Sequence, residues 1–204
     1  GNGLTVTSKD ATINSVSIGK GANSVAGNTV LGEGALDASV SGGLNTAIGK
    51  NALTSNTSGA SNTALGLSSL FSNTTAGNNT AIGTNTLLVN TTGSSNTAVG
   101  FTSLSANTTG ANNVAVGSQS LDASTTGNKN TAIGRMALSA NTTAHDNTAV
   151  GGDSLLLNTT GAQNVAVGSN ALDANTTASN NTGVGFAALG ANTTGTQNTA
   201  VGAL

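Results

Sequence analysis

The sequence has no cysteine, proline, tryptophan or tyrosine, and its only aromatic residues are three phenylalanines. Without cysteine, disulfide scaffolds and thiolate metal sites are excluded. Charged residues make up only 6% of the chain, and Lys and Arg together number five. Five basic residues cannot build a phosphate-neutralising surface, so we expect no nucleic-acid partner. No run of about twenty apolar residues occurs, and we expect no membrane insertion in this segment.

What remains is a chain of small residues, mainly Ala, Val, Leu, Gly, Asn, Thr and Ser. Disordered chains are usually poor in apolar residues and rich in charge. This chain is 36% hydrophobic and has a net charge of only -2. The bias toward small residues therefore indicates a regular structure rather than disorder.

The dominant feature is a repeat of seventeen residues, N-T-A-[VI]-G-x-x-x-L-x-x-N-T-T-G-x-x, numbered here from its first Asn as position 1. It runs from Asn28 to the end of the chain without insertion or deletion. Position 5 is Gly and position 9 is Leu, while position 12 is Asn from Asn56 onward except at Ser124. A strict period of this kind is the signature of a stacked repeat architecture.

Each repeat has the pattern of a short strand followed by turns. In N-T-A-V-G, positions 2 and 4 point to one face and position 3 to the other. Position 4 is always Val, Ile or Leu, and from Asn45 onward position 3 is Ala except at Gly183. We expect one coil to bury a Leu, a Val or Ile, and an Ala. The size limit at position 3 predicts a close neighbour there, either a facing sheet or another chain.

The predicted fold is all-β: a single parallel β-solenoid of seventeen-residue coils spaced about 4.8 Å apart. About eleven to twelve turns give a rod of roughly 50–60 Å. Equivalent Asn residues are expected to form hydrogen-bonded ladders, and the invariant Gly is expected to occupy a turn with positive φ. Asn also tolerates positive φ, which suits a second corner. The predicted turn and ladder residues are Asn45, Asn62, Asn79, Asn96, Asn113, Gly49, Gly66, Gly83, Gly100 and Gly117.

The first 27 residues differ from the rest. The pattern Val16-Ser17-Ile18-Gly19 returns thirteen residues later at Thr29-Val30-Leu31-Gly32, which predicts a shorter coil before the longer ones. Alternating Leu4, Val6 and Ile13 predict a capping strand that shields the open end. We therefore divide the chain into a capping strand and short coil over residues 1–27, and an array of seventeen-residue coils over residues 28–204.

These motifs resemble a known family. The stretch SVSIGKGANSVAGNTVLGEGA resembles the head repeats of trimeric autotransporter adhesins (the YadA-like head), whose motif is S-V-A-I-G followed by G-A. The seventeen-residue form is similar to longer-coil variants in phage tail-fibre-like proteins and in bacterial surface proteins with self-cleaving chaperone ends. The resemblance covers nearly the whole chain. It implies a left-handed parallel β-roll, packed as a homotrimer about its long axis, that serves as a passive attachment fibre.

Candidate chemical groups are sparse. The single histidine, His145, occupies a variable corner, and its neighbour Asp146 implies no catalytic triad. Asp122 and Asp173 share one repeat position but lie three coils apart, about 14 Å, so they cannot form an acid pair or a shared metal site. We therefore predict no catalytic residue, no metal and no cofactor. The N-T-[ST] tripeptides match the glycosylation sequon, but their stacking favours a structural ladder.

Two surface features remain as candidates for binding. Thr residues at position 13 form a file beside a second Ser/Thr column, as on ice-binding solenoids, although Thr also suits strands and corners for structural reasons. Apolar residues at variable positions, Leu67, Phe71, Phe101 and Phe186, are candidates for subunit contact or receptor contact.

The sequence thus predicts a non-catalytic fibre segment of a surface adhesin or phage tail fibre, extracellular, on a cell surface or on a virion. Its expected partners are two further copies of itself and a host receptor, matrix component or cell-surface glycan. The alternative is an ice-binding β-solenoid that uses its Thr ladders.

Overall fold

The structure, a computed structural model, describes residues 10–38 and 40–203 and confirms an all-β parallel β-solenoid with a seventeen-residue repeat. One sheet contains thirteen strands in chain order. They are β1 Ala11–Ile13, β2 Val16–Gly19, β3 Thr29–Gly32, β4 Thr46–Ile48, β5 Thr63–Leu65, β6 Thr80–Ile82, β7 Thr97–Val99, β8 Val114–Val116, β9 Thr131–Ile133, β10 Thr148–Val150, β11 Val165–Val167, β12 Thr182–Val184 and β13 Thr199–Val201. Within these ranges no helix is long and apolar enough to cross a membrane.

Strands β3 to β13 are parallel, and each residue pairs with its equivalent in the next repeat. Thr46 lies opposite Thr63, Ala47 opposite Ala64 and Ile48 opposite Leu65. The same seventeen-residue offset holds along the whole series. At about 4.8 Å per strand, this array is roughly 48 Å long.

Stacking also extends around the turns. The Leu53 N–H donates to the Ser69 carbonyl at 3.0 Å, and the Thr57 N–H donates to the Thr74 carbonyl at 2.9 Å. On another side of the coil, the Ser61 N–H donates to the Gly43 carbonyl at 3.1 Å. Because backbone groups bond between coils around the contour, the turns are held in the same register as the strands.

The core is one narrow layer of small and medium side chains. The Ala at position 3 and the Leu at position 9 are fully buried in the coils that begin at Asn45 through Asn164. An ideal Cβ added to Gly183, which occupies position 3, would lie 3.4 Å from Leu172 Cγ and 2.9 Å from the Ala188 carbonyl oxygen. The neighbour that limits position 3 to Ala or Gly is therefore the turn at positions 8 and 9 of the same chain, not another chain.

The expectation that each coil buries its position-4 Val, Ile or Leu is wrong. Position 4 points outward: Leu65 is 42% exposed, Ile133 40% and Val167 37%. The strand can turn only one of its two apolar faces inward, and the narrow core admits Ala there but not a branched aliphatic. The larger apolar side chains of the strands, those at position 4, consequently lie on the outside of the sheet.

The shorter coil expected before the array does not form, because the two strands that suggested it pair as a hairpin. β2 runs antiparallel to β3, with Ile18 opposite Leu31, and β1 pairs antiparallel with β2. The connection after β2 covers the end of the array instead: the Ala22 N–H donates to the Leu36 carbonyl at 3.1 Å, and Ala22 and Val25 pack on the core. Ile13 lies in β1 and is half exposed, whereas Leu4 and Val6 lie outside the described residues.

Candidate functional site

One side of the array is the outer sheet face, defined as the side chains at positions 2 and 4 of β3 to β13. Position 4 contributes an unbroken column of aliphatic residues that are half-buried or exposed, namely Leu31, Ile48, Leu65, Ile82, Val99, Val116, Ile133, Val150, Val167, Val184 and Val201. Position 2 contributes Thr in every strand except β8 and β11, where Val114 and Val165 replace it. No charged residue interrupts either column. The stripe is about 48 Å long and about 10 Å wide, roughly 500 Å², which matches the largest apolar patches of typical monomers.

Position 6 lies two residues beyond position 4, past the invariant Gly, and forms one edge of this face. Leu67, Phe101 and Phe186 occupy it and are 46%, 56% and 58% exposed. The structure therefore brings three of the four predicted contact residues to one edge of the outer sheet face. Phe71 is not among them, because it follows the core residue Leu70 at position 10, on the turn segment, and is half-buried.

The charged residues of this edge pair between coils. Lys50 Nζ lies 3.1 Å from Glu33 Oε1, and Arg135 Nη2 lies 2.6 Å from Asp153 Oδ2. Both Lys50 and Arg135 are more than half exposed, so these ion pairs contribute little to stability. Their effect is to balance charge at the edge of an otherwise uncharged face.

Inside the coil, the position-1 Asn residues form a continuous ladder. The Asn62 backbone N–H donates to Asn45 Oδ1 at 2.9 Å, and Asn62 Nδ2 donates to the Ala76 carbonyl at 2.9 Å. Equivalent bonds follow at the other predicted ladder residues, Asn79, Asn96 and Asn113. Each side chain thus bonds the coil before it or after it as well as its own coil.

The position-12 Asn residues form a second buried ladder. Asn73 Nδ2 donates to Asn56 Oδ1 at 2.8 Å and to the Ala76 carbonyl at 3.0 Å. The position-15 carbonyl therefore accepts from both ladders and links them across the coil. These Asn residues belong to the N-T-[ST] tripeptides, and from Asn56 to Asn175 they are fully buried, so the folded chain offers no access for a glycan there.

Replacing Asn96 by Ala is expected to lower the free energy of unfolding by about 2–3 kcal/mol, because the buried Asn113 N–H loses its acceptor. Chemical denaturation at fixed protein concentration measures this loss. Thr109→Ala, at an exposed site in the same repeat, is the control and should change the value by less than about 0.5 kcal/mol. An equal loss in both variants would contradict the ladder's role.

The position-5 Gly residues have a conformation that other residues avoid. Gly49, Gly66, Gly83, Gly100 and Gly117 have φ between 126° and 137°. An added Cβ at any of them would also collide with the carbonyl group of the Gly in the next coil. The requirement for Gly therefore has two causes, the backbone angle and the close approach of the next coil.

The second positive-φ corner is not formed by the ladder Asn residues, contrary to the expectation. Positive φ occurs at positions 7, 9 and 17, for example at Asn51, Leu53 and Ser61, where φ is 58°, 53° and 59°. The ladder Asn residues are selected instead for their buried amide groups. Nothing in the Leu pattern of the sequence indicates that position 9 is left-handed.

The hydroxyl groups of the position-13 Thr file are used within the fold. Thr57 Oγ1 donates to the Thr74 carbonyl at 3.0 Å, and Thr74 Oγ1 donates to the Thr91 carbonyl at 3.1 Å. The same bond recurs along the file to Thr176. This file holds the coils together through its hydroxyl groups.

Titratable residues are dispersed over the surface. His145 and Asp146 are exposed and line a shallow recess with Lys129, Asn112 and Asn128. Across residues 10–38 and 40–203, no three His, Asp or Glu side chains come together as a group that could hold a metal ion.

No family model, no curated protein and no solved structure matches this chain.

Proposed function

We propose that this chain is a non-catalytic segment of an attachment fibre, assembled as a homotrimeric left-handed β-roll with the outer sheet face at the subunit interface. The observation that carries the proposal is the unbroken aliphatic column at position 4, which lies outside the core. It continues over all eleven parallel strands without a charged residue. Contiguous apolar patches of this extent are often functional, and this one continues along the whole parallel array.

A second copy of the same chain is the partner that fits this face best. Copies aligned in parallel have the same coil spacing, so each aliphatic rung of one copy meets the equivalent rung of its neighbour. A closed ring of subunits buries every such face, as symmetric oligomers do. The core of one coil is thin and has few large side chains, and subunit packing would add the apolar burial that it lacks.

The attachment role rests on what would remain outside such a trimer. Position 17, which varies between coils, is exposed throughout, for example at Asn112 and Lys129, and the Ser or Thr at position 14 is exposed as well, for example at Thr109. A rigid rod that displays varied polar residues at regular intervals is suited to binding a receptor, a matrix component or a cell-surface glycan. We propose an extracellular, cell-surface or virion location on the same grounds.

Light scattering on the purified chain tests the assembly. A trimer has a mass of about 58 kDa, three times the 19.3 kDa of one chain. Small-angle scattering should then show an elongated particle. A monodisperse particle of one chain's mass would contradict the proposed trimer.

A second candidate is an ice-binding solenoid, and the outer sheet face is again the relevant surface. Its Thr residues at position 2 form a regular file beside the aliphatic column, whereas the position-13 hydroxyls already donate to carbonyls. The two candidates exclude each other, because ice binding needs this face uncovered and the trimer buries it. A monomer with measurable thermal hysteresis would support ice binding, and a trimer without hysteresis would support the fibre.

A further inference from the structure

The buried ladder at position 12 has one rung that differs from the others. Seven of its residues are fully buried Asn, namely Asn56, Asn73, Asn90, Asn107, Asn141, Asn158 and Asn175, and the rung between Asn107 and Asn141 is Ser124. Ser124 is itself fully buried. At this rung, Asn107 Oδ1 and Ser124 Oγ are both buried and have no hydrogen-bond partner among the described residues. Two adjacent unpaired polar atoms in a core are unusual and call for a partner.

The neighbouring rung shows which contacts the Asn-to-Ser change removes. Asn107 Nδ2 donates to Asn90 Oδ1 at 2.7 Å and to the Gly110 carbonyl at 3.0 Å. The equivalent acceptors one coil later are Asn107 Oδ1 and the Gly127 carbonyl. Ser124 has no amide to donate to them. The Gly127 carbonyl keeps one donor, Asn113 Nδ2 at 2.8 Å, whereas Asn107 Oδ1 keeps none.

We propose that the Ser124 rung is a binding site for one buried water molecule, which takes the place of the missing amide nitrogen. The water donates one hydrogen to Asn107 Oδ1 and the other to the Gly127 carbonyl, and it accepts the Ser124 hydroxyl hydrogen. These three hydrogen bonds match the number that buried waters usually make. A water occupies about 30 Å³ of liquid, close to the volume by which an Asn side chain exceeds a Ser side chain.

Water fits this site better than an ion does. Its three partners are an amide oxygen, a peptide carbonyl and a hydroxyl, all of them neutral, and a buried ion here would have no opposite charge beside it. The site is independent of the proposed fibre function, because it depends only on the ladder inside one chain.

High-resolution crystallography of the wild-type protein and the Ser124→Asn variant tests the proposal directly. The wild type should show one isolated density peak about 2.6–3.2 Å from both Asn107 Oδ1 and Ser124 Oγ. In Ser124→Asn this peak should be absent and replaced by the new amide nitrogen. Well-defined wild-type density with no peak, or with the Asn107 side chain turned to another protein partner, would overturn the proposal.

Asn90→Ser is the matched variant, because it makes the same change two rungs away and leaves Asn73 Oδ1 without its donor. Water-oxygen magnetic relaxation dispersion counts long-lived buried waters in solution. Relative to the wild type, we expect one fewer such water per chain in Ser124→Asn and one more in Asn90→Ser. The same count in all three proteins would refute the site.

Discussion

Replacing both Ile133 and Val167 by Asp is expected to dissociate the proposed trimer, so that the particle mass in solution falls from about 58 kDa to the 19.3 kDa of a single chain. Both residues belong to the position-4 column and lie two coils apart on the outer sheet face. In the proposed trimer, each substitution would bury three like charges close together without a partner. Burying unpaired carboxylates costs several kcal/mol per group. Light scattering gives the mass, and circular dichroism shows whether the separated chains remain folded.

The control is the double variant Val89→Asp and Leu157→Asp, which adds the same charge at position 11. Val89 is 38% exposed and Leu157 51%, so their exposure matches or exceeds the 40% and 37% of Ile133 and Val167. They lie away from the outer sheet face, and the control variant should remain trimeric. Dissociation of both variants would point to a general charge effect, and dissociation of neither would place the interface elsewhere.

The Gly151→Ala substitution should lower the free energy of unfolding by about 3–5 kcal/mol, combining backbone strain with a steric collision. Gly151 has φ of 138°, and an added Cβ would lie 2.5 Å from the carbonyl carbon and oxygen of Gly168. Those atoms belong to the next coil and are held by the stack on both sides, so neither can move aside cheaply. Denaturant titration at fixed protein concentration measures the change.

The adjacent residue supplies the control for this substitution. An added Cβ at Gly152 meets no atom within 4 Å, and its φ is not in the positive region. Gly152→Ala should therefore leave stability unchanged or raise it by about 0.5 kcal/mol through a less flexible unfolded chain. If Gly151→Ala changed the free energy of unfolding as little as Gly152→Ala does, that result would contradict the close approach of the coils at position 5.

The stacking of the coils was predictable because it depends on identity between repeats. Asn45 and Asn62 are seventeen residues apart, and an unbroken period of that length places them one above the other in any solenoid. The role of Gly49 followed from sterics, since no other residue type occurs at its equivalent position from Asn28 onward. The exceptional rung was also visible in the sequence, because Ser124 alone replaces the position-12 Asn after Asn56.

The inward face of the strand could not be predicted from one repeat. Both faces are apolar, so alternation does not show whether Ala98 or Val99 is in the core. Because larger apolar residues are usually buried, Val99 would be expected in the core. The coil is too thin to hold it there, and Ala98 is buried instead. That thickness depends on position 9, where Leu104 is fully buried with φ of 52°. Left-handed backbone costs a non-Gly residue about 1–2 kcal/mol, so no local propensity indicates it for Leu.

The N-terminal segment illustrates the same limit. Val16–Gly19 and Thr29–Gly32 have similar strand patterns thirteen residues apart, and this suggested a shorter coil. The segment between them is shorter than the corresponding segment of a full coil, and the two strands pair antiparallel. The spacing was visible in the sequence, but the strand pattern alone did not indicate the direction of pairing.

Spin-label distances would show whether each seventeen-residue repeat advances the chain by one coil spacing. With no native cysteine, labels can be placed at Cys residues that replace the exposed Thr75 together with either Thr160 or Thr177. Labelled chains are diluted with unlabelled chains so that only distances within one chain are measured. The two pairs are separated by five and six coils, so the distances should be about 24 Å and about 29 Å, an increase of about 4.8 Å per repeat. An increase near 25 Å, as a continuous helix would give at about 1.5 Å per residue, or no increase at all, would contradict the stacked solenoid.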